Sequence, residues 1–142
     1  MNADKLSKVI ASYPGGYVAF PPRPLLLQPF QCRNKNFEAK YLAGQISLEL
    51  VPQGTLAERI RAHAAGIPAF FTPTGASTAV EEGSIPTRYS EGGSSNGIAI
   101  PGIPKESKVI NGRRCVLEPS IAGDVAFVRA WKVDEVGNCV FR

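Results

Sequence analysis

Between a strand-like run and a helix-like run lies the triplet Gln53-Gly54-Thr55, within LVPQGTLAERIRAHA. A carboxamide at such a junction can donate to an oxygen that gains negative charge during a reaction. The free amides and positive dipole end of a helix starting there favour an anion beside it. In open α/β folds, ligands collect outside this carboxyl edge of the sheet. The triplet therefore reads either as one wall of an active site or as a plain helix cap. In the capping reading, the Thr55 hydroxyl accepts from the Glu58 amide while the Glu58 carboxylate reaches back to the Thr55 amide.

Other chemistry-bearing residues are sparse. His63 is the only histidine, so no His-pair metal site can form, and any histidine-assisted nucleophile would have to use this residue. It falls on the outward side of the expected helix. Cys32, Cys115 and Cys139 are odd in number and show no CxxC spacing, which suggests neither a zinc site nor a disulfide framework. Sixteen basic against twelve acidic side chains give a net charge of +4. The basic residues do not cluster beyond Arg113-Arg114 and are not interleaved with aromatics, which argues against a nucleic-acid face. No apolar run is long enough to span a bilayer. MNADKLSKVIASY lacks both the apolar core of a secretory signal and the repeated arginines of a mitochondrial leader.

The elements that must position the triplet follow from local signals. At 142 residues the chain fits one domain, and its twelve prolines and fourteen glycines make much of it turn and loop. Residues 5–12 suit helix or strand equally. The stretch 14–33 holds five prolines and reads as an extended or polyproline-like loop. An Asn34 start and a Gly44 stop bracket a short helix, and 46–51 alternates like a strand. The helix over 55–65 carries a narrow apolar stripe, Leu56, Ile60 and Ala64, with Glu58, Arg59, Arg61 and His63 off it. Gly66 and Pro68 stop it before a strand over 67–72, so 46–72 predicts a strand-helix-strand unit with a parallel pair and a right-handed crossover. Asn111-Gly112 predicts a tight hairpin, with Arg113-Arg114 as a solvated strand edge. The run 124–133 predicts a long buried strand with Trp131 in the core, and 139–142 a further strand.

ELVPQGTLAERIRAHAAGIPAFFTPTG, then VEEG, the Asn-Gly hairpin and GDVAFVRAWKVDEVGNCVFR together resemble the first half of the succinyl-CoA:3-ketoacid CoA-transferases, members of the family I CoA-transferases. The resemblance covers residues 5–13 and 34–142. It implies an α/β fold, here a partial open, mostly parallel sheet with flanking helices, truncated at both ends. It implies transfer of coenzyme A from succinyl-CoA to a 3-oxoacid such as acetoacetate, through an enzyme-CoA thioester on a glutamate. No separate cofactor or metal is implied, because the coenzyme A thioester is itself a substrate. The implied partners are the acyl-CoA and 3-oxoacid substrates, a second-half, beta-type domain, and further copies in a homo-oligomer. The implied compartment is the mitochondrial matrix. Gln53 matches the family's active-site glutamine. Gly54, Thr55, Phe71, Thr72 and Gly75 are the residues expected to bind substrate, with Phe70 beside them. Arg59 and Arg61 would either hold coenzyme A phosphates or carry helix-surface charge.

This sequence also departs from the family pattern. The glycine-rich GGFG-type loop and the Glu-Asn-Gly motif that carries the catalytic glutamate are not among these residues, and Glu81, Glu82 and Glu118 lie in other contexts. A non-catalytic remnant that keeps only the scaffold is the competing reading. A sugar-phosphate isomerase-like domain would need phosphate-holding motifs that are not found. The proline-rich stretch 14–33 interrupts the family pattern, as either a retained intron read in frame or a lineage-specific loop. Transcript sequencing across the codons for Tyr13 and Asn34 is expected to reveal a message lacking the intervening codons. A spliced message that keeps all of them would leave the loop as the explanation.

Overall fold

The computed structural model describes residues 7–12 and 35–142. The proline-rich stretch, Cys32 and the Asn34 helix start lie outside the described residues. In chain order the elements begin with β1 (Lys8–Ala11), α1 (Lys35–Leu42), β2 (Ser47–Leu50), α2 (Gln53–Ala64), β3 (Ala69–Thr72) and α3 (Ala79–Glu82). They continue with β4 (Arg88–Tyr89), β5 (Ile98–Ile100), β6 (Ser107–Ile110), β7 (Arg113–Pro119), β8 (Lys132–Val133) and β9 (Cys139–Val140).

The described part of the ambiguous 5–12 segment is strand. β1 pairs in parallel with β2, from Lys8 opposite Ser47 to Ala11 opposite Leu50. The Val51 amide extends the ladder by donating to the Ala11 carbonyl at 3.0 Å. α1 covers this pair, and its Phe37 is buried with Ile46 and Leu48, flanked by Val9 and Tyr41. The expected stop of α1 is present. Gly44 has φ +74°, and a Cβ there would collide with the carbonyl oxygen of Ser90, so only glycine fits. α2 likewise ends where expected, with Gly66 at φ 71° and the Ile67 amide donating to the Ala62 carbonyl at 2.9 Å.

Strand pairing is where the structure departs from the sequence reading. β3 does not pair with β2; it runs antiparallel to β7, with Phe71 opposite Leu117, and β7 runs antiparallel to β6. β4 with β5 and β8 with β9 form further antiparallel pairs. The fold is thus mixed α/β, and among the described residues β1–β2 is its one parallel pair. Strand periodicity and loop length indicate that a strand exists but not which edge receives it. Here the Asn111-Gly112 turn decides, because φ values of 49° and 75° let it fold β6 tightly onto β7. The other edge of β7, the longest strand, remains available to β3.

The expectation of a long buried strand over 124–133 is also corrected. Only Lys132–Val133 are strand, Phe127 is 97% exposed, and Val125, Val128 and Trp131 are exposed as well. The Trp131 ring lies under the Arg142 guanidinium, 4.5 Å from its centroid, rather than in a core. The apolar spacing that suggests burial is real, but among the described residues no second layer faces it. Val125, Phe127, Val128, Trp131, Val133 and Val136 form a run of exposed apolar side chains of the kind that drives association. The isolated 142-residue chain is therefore expected to self-associate in sedimentation velocity and to bind an apolar dye. A clean monomer with a sharp cooperative melt would contradict this.

Candidate functional site

The strand-to-helix junction is built from Pro52. Its extended backbone, φ −55° and ψ 143°, turns the chain out of β2. Its carbonyl then accepts from the Leu56 amide at 2.9 Å, so α2 starts at Gln53, two residues before the expected cap. This corrects the capping reading of Thr55. As the third helical residue it is only 3% exposed, and its hydroxyl has no hydrogen-bond partner among the described residues. Glu58 does not reach back either; it pairs with Arg61 one turn on, at 2.5 Å on the surface.

Gln53 is exposed at the head of the helix, and its Oε1 accepts from the Ser12 hydroxyl at 2.5 Å. Ser12 directly follows β1 and Gln53 follows β2, so both lie beyond the same carboxyl edge of the parallel pair. The Gln53 Nε2 has no partner among the described residues. Beside it, a side chain added at Gly54 would meet open space.

The loop after β3 runs past this point. Gly75, at φ +88°, lies where an added Cβ would sit 3.8 Å from the Pro52 ring, and its carbonyl accepts from the Thr78 hydroxyl at 2.7 Å. Thr72 accepts from the Thr74 amide at 3.2 Å and so shapes the entry to that loop. Phe71 is held elsewhere, half-buried with the Lys108 ammonium 5.2 Å from its ring centroid. The structure therefore brings Gly75 to the Gln53 corner and ties Phe71 to β6 instead.

The sequence reading missed a buried charge network. Arg59, taken above as helix-surface charge or a phosphate ligand, is 4% exposed. Its guanidinium donates to Glu49 Oε1 and to the Pro119 carbonyl, each at 2.7 Å, and lies 3.8 Å from Glu118. Lys105 pairs with Glu118 at 2.7 Å and Lys8 with Glu49 at 2.6 Å. Burial pushes the Glu49 carboxyl up, but the hydrogen bonds from Lys8 and Arg59 outweigh it and hold the group below the ordinary carboxylate range. The buried face of α2 is thus Thr55, Arg59 and Ala62, while Ile60 of the expected apolar stripe is 56% exposed. Arg59, Glu49, Lys8 and Lys105 line a cavity of about 660 Å³ between the β1–β2 pair and the β3–β7–β6 sheet. None of the six residues expected at the active site lines it.

Arg113 and Arg114 are exposed, as expected, but Arg114 also takes a partner. Its guanidinium grips the buried Glu81 at 2.5 Å, and the Ser77 amide donates to the same carboxylate at 2.5 Å. Together they hold the Glu81 pKa down to about 2. His63 is exposed, as expected. Among the described residues no helix is long and apolar enough to cross a membrane, and no group of His, Cys, Asp or Glu is placed to hold a metal ion.

Residues 1–142 match the family described as Coenzyme A transferase. Over 105 residues the chain is 52% identical to the mitochondrial succinyl-CoA:3-ketoacid coenzyme A transferase 2 of Homo sapiens, covering 74% of this chain and 20% of the relative. It is 43% identical over 138 residues to one subunit of the probable succinyl-CoA:3-ketoacid coenzyme A transferase of Bacillus subtilis, covering 97% of this chain and 42% of that protein. The Mycobacterium tuberculosis subunit of the same name is 47% identical over 109 residues, covering 77% of this chain and 43% of the relative. The chain thus spans about a fifth of the human relative's length and about two fifths of the bacterial ones.

The Glu81–Arg114 pair gives a pH signature. Because the folded-state pKa lies below the usual 4.5, the contribution of Glu81 to stability is complete above that value. It is lost as pH falls toward about 2. Thermal unfolding at stepped pH is expected to find Glu81→Gln less stable than the parent at neutral pH, with the gap closing across this window. A gap that persists at the acid end would show that the pair is not its source.

Proposed function

Because the chain belongs to the coenzyme A transferase family, we propose that it forms the first part of an enzyme that moves coenzyme A from succinyl-CoA to a 3-oxoacid such as acetoacetate. The nucleophile is a glutamate outside these residues. Its carboxylate adds to the thioester carbonyl and expels the coenzyme A thiolate, leaving a mixed anhydride. The thiolate then attacks the glutamyl carbonyl, releasing succinate and leaving coenzyme A as a thioester on the enzyme. The acceptor carboxylate runs the same two steps in reverse.

The observation that carries this reading is the position of Gln53. It heads a twelve-residue helix beyond the carboxyl edge of the parallel pair, with its Nε2 without a partner among the described residues. There the carboxamide donates to the oxygen that gains charge at each addition, and the open amides of the first turn favour the same anion. Gly54 and Gly75 leave room for the acyl group, and Thr55 and Thr72 shape the floor, while Phe71 contributes only by holding β3 against β6. In the whole protein, β1–β2 belongs to a larger, mostly parallel open sheet. A second-half domain or separate chain completes the site, a reading supported by bacterial relatives whose names make each of them one subunit of a transferase. Assembly as a homo-oligomer follows the family. The mitochondrial name of the human relative supports a matrix location. No further cofactor is required, and residues 14–33 are read as an insertion in the family pattern, a retained intron or else a lineage-specific loop.

In the complete transferase, Gln53→Ala is expected to slow acylation by succinyl-CoA roughly 10²–10³-fold while changing acyl-CoA binding much less. Rapid-quench kinetics would measure this. The 142-residue chain alone is expected to form no adduct. Coenzyme A found by mass spectrometry on Glu81, Glu82 or Glu118 would overturn the proposal. A complete protein with no transfer activity would leave the non-catalytic remnant.

A further inference from the structure

We infer that Ser12 is a positioning residue for Gln53, an inference that rests on the active-site reading above. The two are 41 residues apart, and their side chains meet because β1 and β2 run in parallel and in register to Ala11–Leu50. The bond from Val51 to the Ala11 carbonyl fixes the backbone up to the residue before Ser12. A glutamine at an exposed helix start would otherwise sample many rotamers. It could also present either end of its carboxamide. By donating to Oε1 at 2.5 Å, the Ser12 hydroxyl occupies the acceptor end and leaves the two N–H groups of Nε2 as the outward face. Donation into Oε1 also polarises the amide and makes Nε2 a stronger donor. Ser12 makes and breaks no bond in the reaction; with its hydroxyl donating to Oε1, it holds Gln53 in one rotamer with Nε2 outward.

The test uses the complete transferase and two substitutions of the same shape, Ser12→Thr, which keeps the hydroxyl, and Ser12→Val, which replaces it with a methyl. Any strain from β-branching at the end of β1 is common to both, so their difference isolates the hydrogen bond. With succinyl-CoA, kcat of the valine variant is expected to be about three- to tenfold below that of the threonine variant, the size of one neutral hydrogen bond. KM should agree within about twofold. In a Gln53→Ala background the two should be equal, because the group that Ser12 orients is gone. Equal kcat for the two variants, with Gln53→Ala slow, would overturn the inference and leave the active-site reading intact. A difference that persists in the Gln53→Ala background would overturn it too, since Ser12 would then be acting on the scaffold. If Gln53→Ala itself leaves kcat unchanged, the active-site reading fails and the role of Ser12 fails with it.

Discussion

The buried guanidinium of Arg59 is the constraint on which the rest of the arrangement depends. It joins α2 to Glu49 on β2 and to Glu118 and the Pro119 carbonyl at the end of β7, and its own carbonyl accepts from the Ile121 amide at 3.0 Å. A charge this deep is tolerated only when it is fully partnered, and stripping one partner from such a pair typically costs about 3–5 kcal/mol. Replacing such a network by apolar groups is often energetically neutral, so its main effect is geometric. Directional bonds from one side chain to two separate sheets leave α2 few orientations that satisfy them all. Lys105 pairs with Glu118 Oε2 and Lys8 with Glu49, while Glu118 Oε1 stays buried with no hydrogen-bond partner among the described residues.

What the sequence made legible, and what it did not, follows from the range of the physics involved. Gly44, Gly66 and the Asn111-Gly112 turn were readable because a positive φ is a property of one or two residues. Gln53 was readable as a site candidate because the strand-to-helix junction is also local. The buried face of α2 was not. An apolar stripe at Leu56, Ile60 and Ala64 assumes that the facing surface is apolar, whereas the cleft beside α2 presents carboxylates, which attract Arg59 and leave Ile60 exposed. Thr55 was misread because Pro52 already ends the strand and starts the helix, which puts the threonine hydroxyl inside the first turn. The partner of β3 and the contact between Ser12 and Gln53 depend on residues tens of positions apart, where spacing carries no signal. Trp131 and Phe127 present the opposite case: their spacing reports an apolar face correctly, but nothing local says what covers it.

The cavity and the Gln53 corner are separate features, and α2 links them. Gln53 and Arg59 lie six residues apart, about 9 Å along the helix axis. Thr55, Arg59 and Ala62 share the buried face. The anchor that fixes that face therefore also fixes where the first turn emerges beyond the β1–β2 edge. In the role inferred for it, Ser12 supplies what a rigid helix cannot set, the rotamer of the Gln53 side chain. An amide that must meet an oxygen at hydrogen-bond distance needs both, because a helix tilted by the loss of Arg59 would carry a correctly oriented glutamine to the wrong place. In the active-site role proposed for Gln53, the buried ion pairs, remote from that corner, belong to the apparatus that aims it.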